Sequence, residues 1–213
     1  MMSFWPEFLL IAAVHLMAVA SPGPDFAIVL RYAVRFGRRQ ALAASIGIGV
    51  AILLHVTWSL VGIAVLIQTT PWLFKVLSVC AAIYLAYLGV MALKSSAPTR
   101  VQTNTADTPA PIPSIKKAFI AGFVTNGLNP KATLFFLSLF AVIISPLTPL
   151  SYKVIYGVYM AFATAAWFCM LSLLLTHEKV TRFLLQKGYW FDRIMGLVLL
   201  ALAAHLIISS MNS

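Results

Sequence analysis

The sequence predicts an all-α integral membrane protein with six transmembrane helices. Hydrophobic residues make up 62% of the 213 residues and charged residues only 9%, whereas a soluble domain has about 25% charged residues. Such a chain has too few charged residues to cover a surface in contact with water. A span needs about 20 apolar residues, and six segments qualify: 8–30, 41–67, 73–93, 118–145, 152–176 and 191–210.

The basic residues predict how the chain is oriented in the membrane. Twelve of the fifteen Lys and Arg residues lie in or beside the connections after spans one, three and five. Cytoplasmic connections are enriched in Lys and Arg, so both termini are expected on the non-cytoplasmic side. The same clustering accounts for the formal net charge of +10 without a nucleic-acid partner, which would need a basic face on a soluble fold. Contact with membrane lipid head groups is a secondary expectation.

A central segment divides the spans into two halves. The connection from Ser95 to Ser114 is rich in Pro, Thr and Ala and has no apolar periodicity, which predicts a flexible cytoplasmic linker over residues 95–117. Residues 1–94 then form a first three-span repeat and residues 118–213 a second. An odd number of spans per half gives the halves opposite orientations, so related halves form an inverted repeat.

Spans one and four are each interrupted by a polar motif. Residues 21–25 are Ser-Pro-Gly-Pro-Asp, and residues 126–131 are Asn-Gly-Leu-Asn-Pro-Lys. Proline removes a backbone donor and glycine adds backbone freedom, so both helices are expected to break near the midplane of the membrane. A break in hydrocarbon is tolerated only where protein or a water-filled cavity satisfies the freed backbone groups. The predicted helix-breaking residues are Pro22, Gly23, Pro24, Asn129 and Pro130.

The two breaks predict a substrate site. Setting Pro24 against Pro130 places Asp25 opposite Lys131, and broken helices at matching positions of two halves mark the substrate sites of transporters. Each half-helix that starts at a break also directs its positive dipole end towards the membrane centre. The predicted substrate-binding residues are Ser21, Gly23, Asp25, Asn126, Asn129 and Lys131.

Each of these residues also has a structural interpretation. Asp25 could cap the helix that follows it, and capping is favoured for Asn126 and Asn129 over contact with a ligand. Lys131 opposes the dipole of its helix, which favours a carboxylate partner from the protein or the substrate.

Other polar or small residues in the spans are assigned to packing. His15, His55 and His205 lie in spans one, two and six, where a lone histidine is more often a packing residue than a ligand. Gly47 and Gly49 allow another helix to approach span two closely, either within the monomer or across a homodimer. The two cysteines lie in separate apolar segments, and no metal site or cofactor is predicted.

Three motifs together resemble one transporter family. The S-P-G-P-D break at 21–25, the R-x-x-x-R-F-G-R-R segment at 31–39 and the T-N-x-x-N-P-K break at 125–131 are similar to those of the LysE/RhtB amino-acid exporters. Residues 166–168 (Ala-Trp-Phe) and 204–208 (Ala-His-Leu-Ile-Ile) look closest to the threonine-efflux branch. The resemblance covers nearly the whole chain. It implies efflux of a small amino acid or derivative, threonine- or homoserine-like, across the bacterial inner membrane in exchange for protons.

The leading hypothesis is therefore a secondary exporter of a small zwitterion rather than an enzyme. Lys131 and the half-helix amides would bind the substrate carboxylate, while Asp25 and unwound carbonyls would bind its ammonium group. Asp25 would also carry the coupling proton, because no other acidic residue lies deep in a span. Two alternatives are a metal-ion exporter of similar architecture and a non-transporting membrane accessory protein. An intramembrane enzyme is disfavoured, since no nucleophile–base pair or H-E-x-x-H helix is present.

The predicted orientation can be tested with reporter fusions. A fusion at Ser213 and a fusion within residues 95–114 are expected to report opposite compartments, with the linker in the cytoplasm. Compartment-specific enzymatic or fluorescent reporters measure this directly. Finding both fusions on the same side would remove the basis of the inverted repeat.

Overall fold

The computed structural model describes residues 4–21, 23–69, 71–94, 111–145, 147–175, 177, 180, 183 and 189–211. Within these residues it contains helices and no strands, which confirms the all-α prediction. The main helices are α1 (Phe4–Ala20), α2 (Pro24–Phe36), α3 (Arg38–Thr69), α4 (Pro71–Leu93), α5 (Ile115–Gly127), α6 (Pro130–Val142), α7 (Leu150–Leu174) and α8 (Tyr189–Met211).

The first predicted span is a pair of helices. The axes of α1 and α2 differ by 54°, and Pro22, which was predicted to help break them, lies outside the described residues. Helix α2 continues to Phe36, six residues past the predicted end of the apolar segment, because helical hydrogen bonding does not require apolar side chains. Gly37 follows as the C-cap, and its φ of 87° favours a residue without Cβ.

The second half begins slightly earlier than expected. Helix α5 starts at Ile115, within the segment predicted as linker, and the Ser114 hydroxyl accepts a hydrogen bond of 3.3 Å from the Lys117 amide. A serine in this position stabilises a helix start by satisfying one of its orphan amides. Residues 111–114 of the predicted linker precede α5 without helical structure, and residues 95–110 lie outside the described residues.

The outer surfaces of the helices suit a lipid environment. Residues Arg38–Gly62 of α3 and Leu150–Leu174 of α7 are each long and apolar enough to cross a membrane, and α1 with α2 would make a third span. Large apolar side chains point outwards, among them Trp58, which is 66% exposed, and Phe162, which is 73% exposed. Lipid tails would cover such side chains. The total of six spans stays a prediction.

Helix α3 is central because glycines let its neighbours approach closely. A Cβ on Gly47 would overlap the Phe119 carbonyl of α5, and a Cβ on Gly122 of α5 would overlap the Ala44 carbonyl of α3. On the opposite face of α3, a Cβ on Gly49 would lie 2.6 Å from the Ala165 Cβ of α7. Both glycines predicted to allow a close approach therefore serve contacts within the monomer.

Helices α4 and α8 form a second close pair, one from each half. A Cβ on Gly89 would lie 2.9 Å from the Gly196 carbonyl oxygen, and a Cβ on Gly196 would lie 2.7 Å from the Gly89 carbonyl oxygen. The contact is thus reciprocal. A two-fold relation between helices gives a reciprocal contact of this kind at the point where they cross.

One end of the bundle is held together by a buried carboxylate that the sequence did not single out. Glu7 of α1 is 2% exposed. Its carboxylate accepts hydrogen bonds from the Ser145 amide (2.9 Å), the Thr148 hydroxyl (2.9 Å) and the Tyr156 hydroxyl (3.1 Å). These bonds connect α1 to the α6–α7 loop and to α7.

Gly47 and Gly62 offer a matched test of the α3 packing. We expect Gly47→Ala to lower the thermal stability of the detergent-solubilised protein, by about 1–3 kcal/mol, because α3 and α5 must separate. Gly62→Ala is the control, since a Cβ there meets nothing within 4 Å and alanine is the better helix former. A melting temperature for Gly47→Ala equal to or above that of Gly62→Ala would contradict the packing.

Candidate functional site

The first break leaves the start of α2 without a side-chain cap. Helix α1 ends at Ala20, and the Ser21 amide turns back to the Ala18 carbonyl at 3.3 Å. Gly23 occupies the N-cap position in an extended conformation (φ −169°, ψ −166°), with no side-chain cap hydrogen bond. Pro24 is the first residue of α2, where its missing amide and fixed φ are tolerated.

The second break also begins its half-helix with a proline, but here a side chain caps the helix. Helix α5 ends at Gly127, and Asn129 precedes α6 as its N-cap, with the side-chain oxygen 3.0 Å from the Lys131 amide. Pro130 is the first residue of α6, as Pro24 is of α2. Asp25 and Lys131 are therefore the second residues of the two half-helices, in equivalent positions.

Hydrogen bonds join the two breaks in both directions. The Asp25 carboxylate accepts from the Asn126 amide group at 2.9 Å and from the Asn129 amide group at 3.4 Å. In return, the Lys131 ammonium donates to the Ser21 hydroxyl at 2.9 Å. Each break thus supplies one charged side chain that is held by neutral polar side chains of the other. Residues more than 100 positions apart in the sequence form one polar cluster.

This cluster lines a cavity of about 60 Å³. All six predicted substrate-binding residues border it: Ser21, Gly23, Asp25, Asn126, Asn129 and Lys131. Most of the other lining residues are apolar, such as Ile52, Phe135 and Leu199. The cavity therefore offers one carboxylate, one ammonium group and several amides inside a largely apolar enclosure.

Several polar atoms at the cavity have no hydrogen-bond partner among the described residues. They are Oδ1 of Asp25, Oδ1 of Asn126 and Nδ1 of His15, and all three are buried. Buried polar atoms are rarely left unsatisfied in a native protein, and each one needs an explanation. All three atoms belong to residues that border the cavity, so a ligand there is a candidate partner for them.

The structure shows which of the three candidate capping residues caps a helix. Asn129 does cap α6, as expected. The capping interpretation of Asp25 is wrong, because Gly23 holds that position and the carboxylate bonds to the other break instead. Asn126 caps nothing and donates to Asp25, since it lies inside α5, near its end, rather than before a helix.

Sequence reasoning did not identify two cavity residues, one of which, His15, it assigned to packing. His15 and Thr164 both border the cavity, and Thr164 gave no signal in the sequence. His55 lies outside the cavity lining and contacts the Asn126 carbonyl oxygen through Nε2 at 3.0 Å, so it supports the end of α5. The side chain of His205 lies outside the described residues.

The sequence is similar to those of a known protein family. Residues 16–210 match the family model of the LysE type translocators. The chain belongs to that family. This confirms the resemblance that the two breaks and the intervening arginine-rich segment indicated.

Similar LysE-family proteins cover almost the whole chain. The threonine efflux protein of Escherichia coli strain K12 is 28% identical over 207 residues, which is 95% of this chain and 98% of that protein. The threonine efflux protein of Salmonella typhi is 28% identical over 205 residues, with the same coverage. The leucine efflux protein of Salmonella choleraesuis is 31% identical over 214 aligned positions, covering 96% and 94%. No solved structure gives a significant match.

The contact between the breaks predicts a measurable coupling. We expect Asn126→Ala to destabilise the protein by about 1.5–3 kcal/mol, because it removes a hydrogen bond to a charged group. In an Asp25→Ala background the same change should cost less, with a coupling of at least about 0.5 kcal/mol. Thermal unfolding in detergent measures both.

Ser138→Ala is the control for this cycle. The Ser138 hydroxyl is buried but bonds to the Leu134 carbonyl within α6 at 2.7 Å, so its loss should add to Asp25→Ala without coupling. Strict additivity of Asn126→Ala and Asp25→Ala would contradict the cross-break contact.

Proposed function

We propose that this LysE-family protein is a secondary transporter that exports a small amino acid or derivative, threonine- or homoserine-like, in exchange for protons. The observation that carries the proposal is that the two helix breaks bond to each other and that Asp25 and Lys131 border one cavity. Relatives named as threonine and leucine efflux proteins, which match over at least 94% of their own length, support the amino-acid class.

The charges at the cavity are those that a zwitterion requires. Oδ1 of Asp25 has no partner among the described residues and can accept from a substrate ammonium group. The Lys131 ammonium and the uncapped first turn of α2 can receive the substrate carboxylate. One site of each sign inside an apolar enclosure selects a molecule that carries both charges close together.

The size of the cavity favours a small substrate. A cavity of about 60 Å³ has room for a few water molecules. A small amino acid is of that order of size. A larger substrate would require the helices to separate.

Proton coupling follows from one group serving two ligands. Asp25 in its charged form binds the ammonium group of a substrate that enters from the cytoplasm. Protonation of Asp25 from the outer side removes that charge, weakens the hold on the ammonium group and releases the substrate outwards. The proton then leaves to the cytoplasm. Each cycle moves one proton inwards and one substrate outwards.

Alternation of the site between the two sides fits an inverted repeat. Pro24 and Pro130 begin equivalent half-helices, and α4 and α8 make a reciprocal contact at Gly89 and Gly196. These pairings support a pseudo-two-fold relation between residues 1–94 and 118–213, in which one half rocks against the other around a fixed site. The proposed location is the bacterial inner membrane, with both termini outside the cytoplasm.

No observation favours the other functions considered. Among the residues that the structure describes, no group of three or more His, Cys, Asp or Glu side chains could hold a metal ion. A membrane accessory protein would not need two charged breaks joined at a cavity.

The proposal predicts distinct defects for the two charges. In proteoliposomes loaded with radiolabelled threonine, we expect Asp25→Asn to abolish proton-driven transport while leaving slow downhill exchange, since the isostere keeps the hydrogen bonds but cannot titrate. Lys131→Met should raise KM, by about tenfold or more, because a charge-assisted contact is lost. The double variant should be less impaired than the product of the two single effects.

Lys116→Met is the control, because Lys116 is exposed in the first turn of α5, away from the cavity, and its removal should leave KM unchanged. Threonine accumulation that still responds to a proton gradient in Asp25→Asn would show that Asp25 is not the coupling group. The absence of amino-acid transport by the wild-type protein would overturn the function itself.

A further inference from the structure

His15 is a buried polar residue that the proposed transport cycle does not use. It lies in α1, its side chain is 0% exposed, and it borders the cavity. Its Nε2 is 3.1 Å from the Thr164 hydroxyl of α7, whereas Nδ1 has no partner among the described residues. His15 is therefore a cavity-lining residue with one buried ring nitrogen that no described residue satisfies.

The position of His15 places it near the side chain of a bound amino acid. His15 precedes Ser21 by six residues of helix and turn, which corresponds to about 9 Å along the axis. The charged groups of a ligand held at Ser21, Asp25 and Lys131 lie at the break. Its side chain then extends towards the remaining wall, where His15 and Thr164 are polar and Phe135 is apolar.

We propose that His15, held by Thr164, is a specificity-determining residue that hydrogen-bonds a hydroxyl group on the substrate side chain. This rests on the proposed function and assigns the residue that distinguishes a small hydroxy-amino acid from an apolar one of the same shape. A site built to bond a hydroxyl rejects an analogue without it, because its own buried polar group is then left unpaired.

A histidine is suited to a hydroxyl because both can donate or accept. If Thr164 donates to Nε2, then Nδ1 carries the hydrogen and donates into the cavity. If Nε2 donates to Thr164, then Nδ1 accepts. A hydroxyl group satisfies either arrangement. The ring orientation is fixed by packing, with the Phe136 centroid 6.0 Å from the His15 centroid.

Threonine and valine are the probes, since they differ by a hydroxyl in place of a methyl. In proteoliposomes, the wild-type protein is expected to favour threonine over valine in kcat/KM by about tenfold or more. His15→Leu should bring this ratio close to one by slowing threonine and accelerating valine. Thr164→Val, which keeps the shape of the side chain, should lower the ratio to an intermediate value.

Two further variants separate recognition from folding. His15→Asn restores a donor and an acceptor, so it should recover part of the preference for threonine. Ser172→Ala removes a buried hydroxyl on α7 that bonds to Ser45 at 2.8 Å and does not border the cavity, so its ratio should equal that of the wild type. A purely structural histidine would reduce transport of both amino acids equally.

The outcomes distinguish this inference from the function on which it rests. Transport of both amino acids with a threonine-to-valine ratio that His15→Leu and Thr164→Val leave unchanged would overturn the role of His15. A wild-type ratio near one would do the same. Failure of the wild-type protein to transport any amino acid would instead overturn the proposed function.

Discussion

The hydrogen-bonded contact between the two helix breaks is the interaction on which the rest of the structure depends. Asp25 and Lys131 are each held by neutral side chains of the opposite break. A charge left alone in a membrane interior costs at least about 2.5–3.5 kcal/mol, so at the predicted depth each break would stabilise the charge of the other. The interrupted helices meet through these hydrogen bonds, and α3 packs closely against α5 at Gly47 and against α7 at Gly49. Close helix packing and an open backbone at the centre are two parts of one arrangement.

Much of this could be predicted from the sequence because proline and charge act locally. Prolines in two apolar segments identified the breaks, and the residues after Pro24 and Pro130 identified the charges, without any knowledge of the fold. Asn129 was recognised as a cap for the same reason. The hydrogen-bond partner of Asp25 could not be predicted, because the identity of this partner depends on which face of α5 packs against α2. The capping interpretation of Asp25 failed because its carboxylate can accept from the amides of its own helix or from another segment. In the folded protein it accepts from Asn126.

The residues that were missed depend on contacts between distant segments. Thr164 lies in an uninterrupted apolar helix, and only the rotation of α7 against α1 places its hydroxyl beside His15. Glu7 looked like a residue before the first span, whereas α1 begins at Phe4 and buries it. A burial pattern of this kind follows from which helix faces meet. Helix periodicity alone did not reveal it, because these helices are apolar on nearly every side.

The match between the two halves does not extend from the breaks to the start of α1. At the start of α1, the Glu7 carboxylate joins α1, the α6–α7 loop and α7 through hydrogen bonds, and the Phe8 ring packs edge-on against Tyr159 at 4.9 Å. The position that corresponds to Glu7 in the second half, counting back equally from Pro130, is Pro113, which has no carboxylate. Under the proposed orientation, the end with Glu7 is the outer one. The hydrogen-bonded carboxylate of Glu7 therefore has no counterpart at the position that the proline alignment pairs with it.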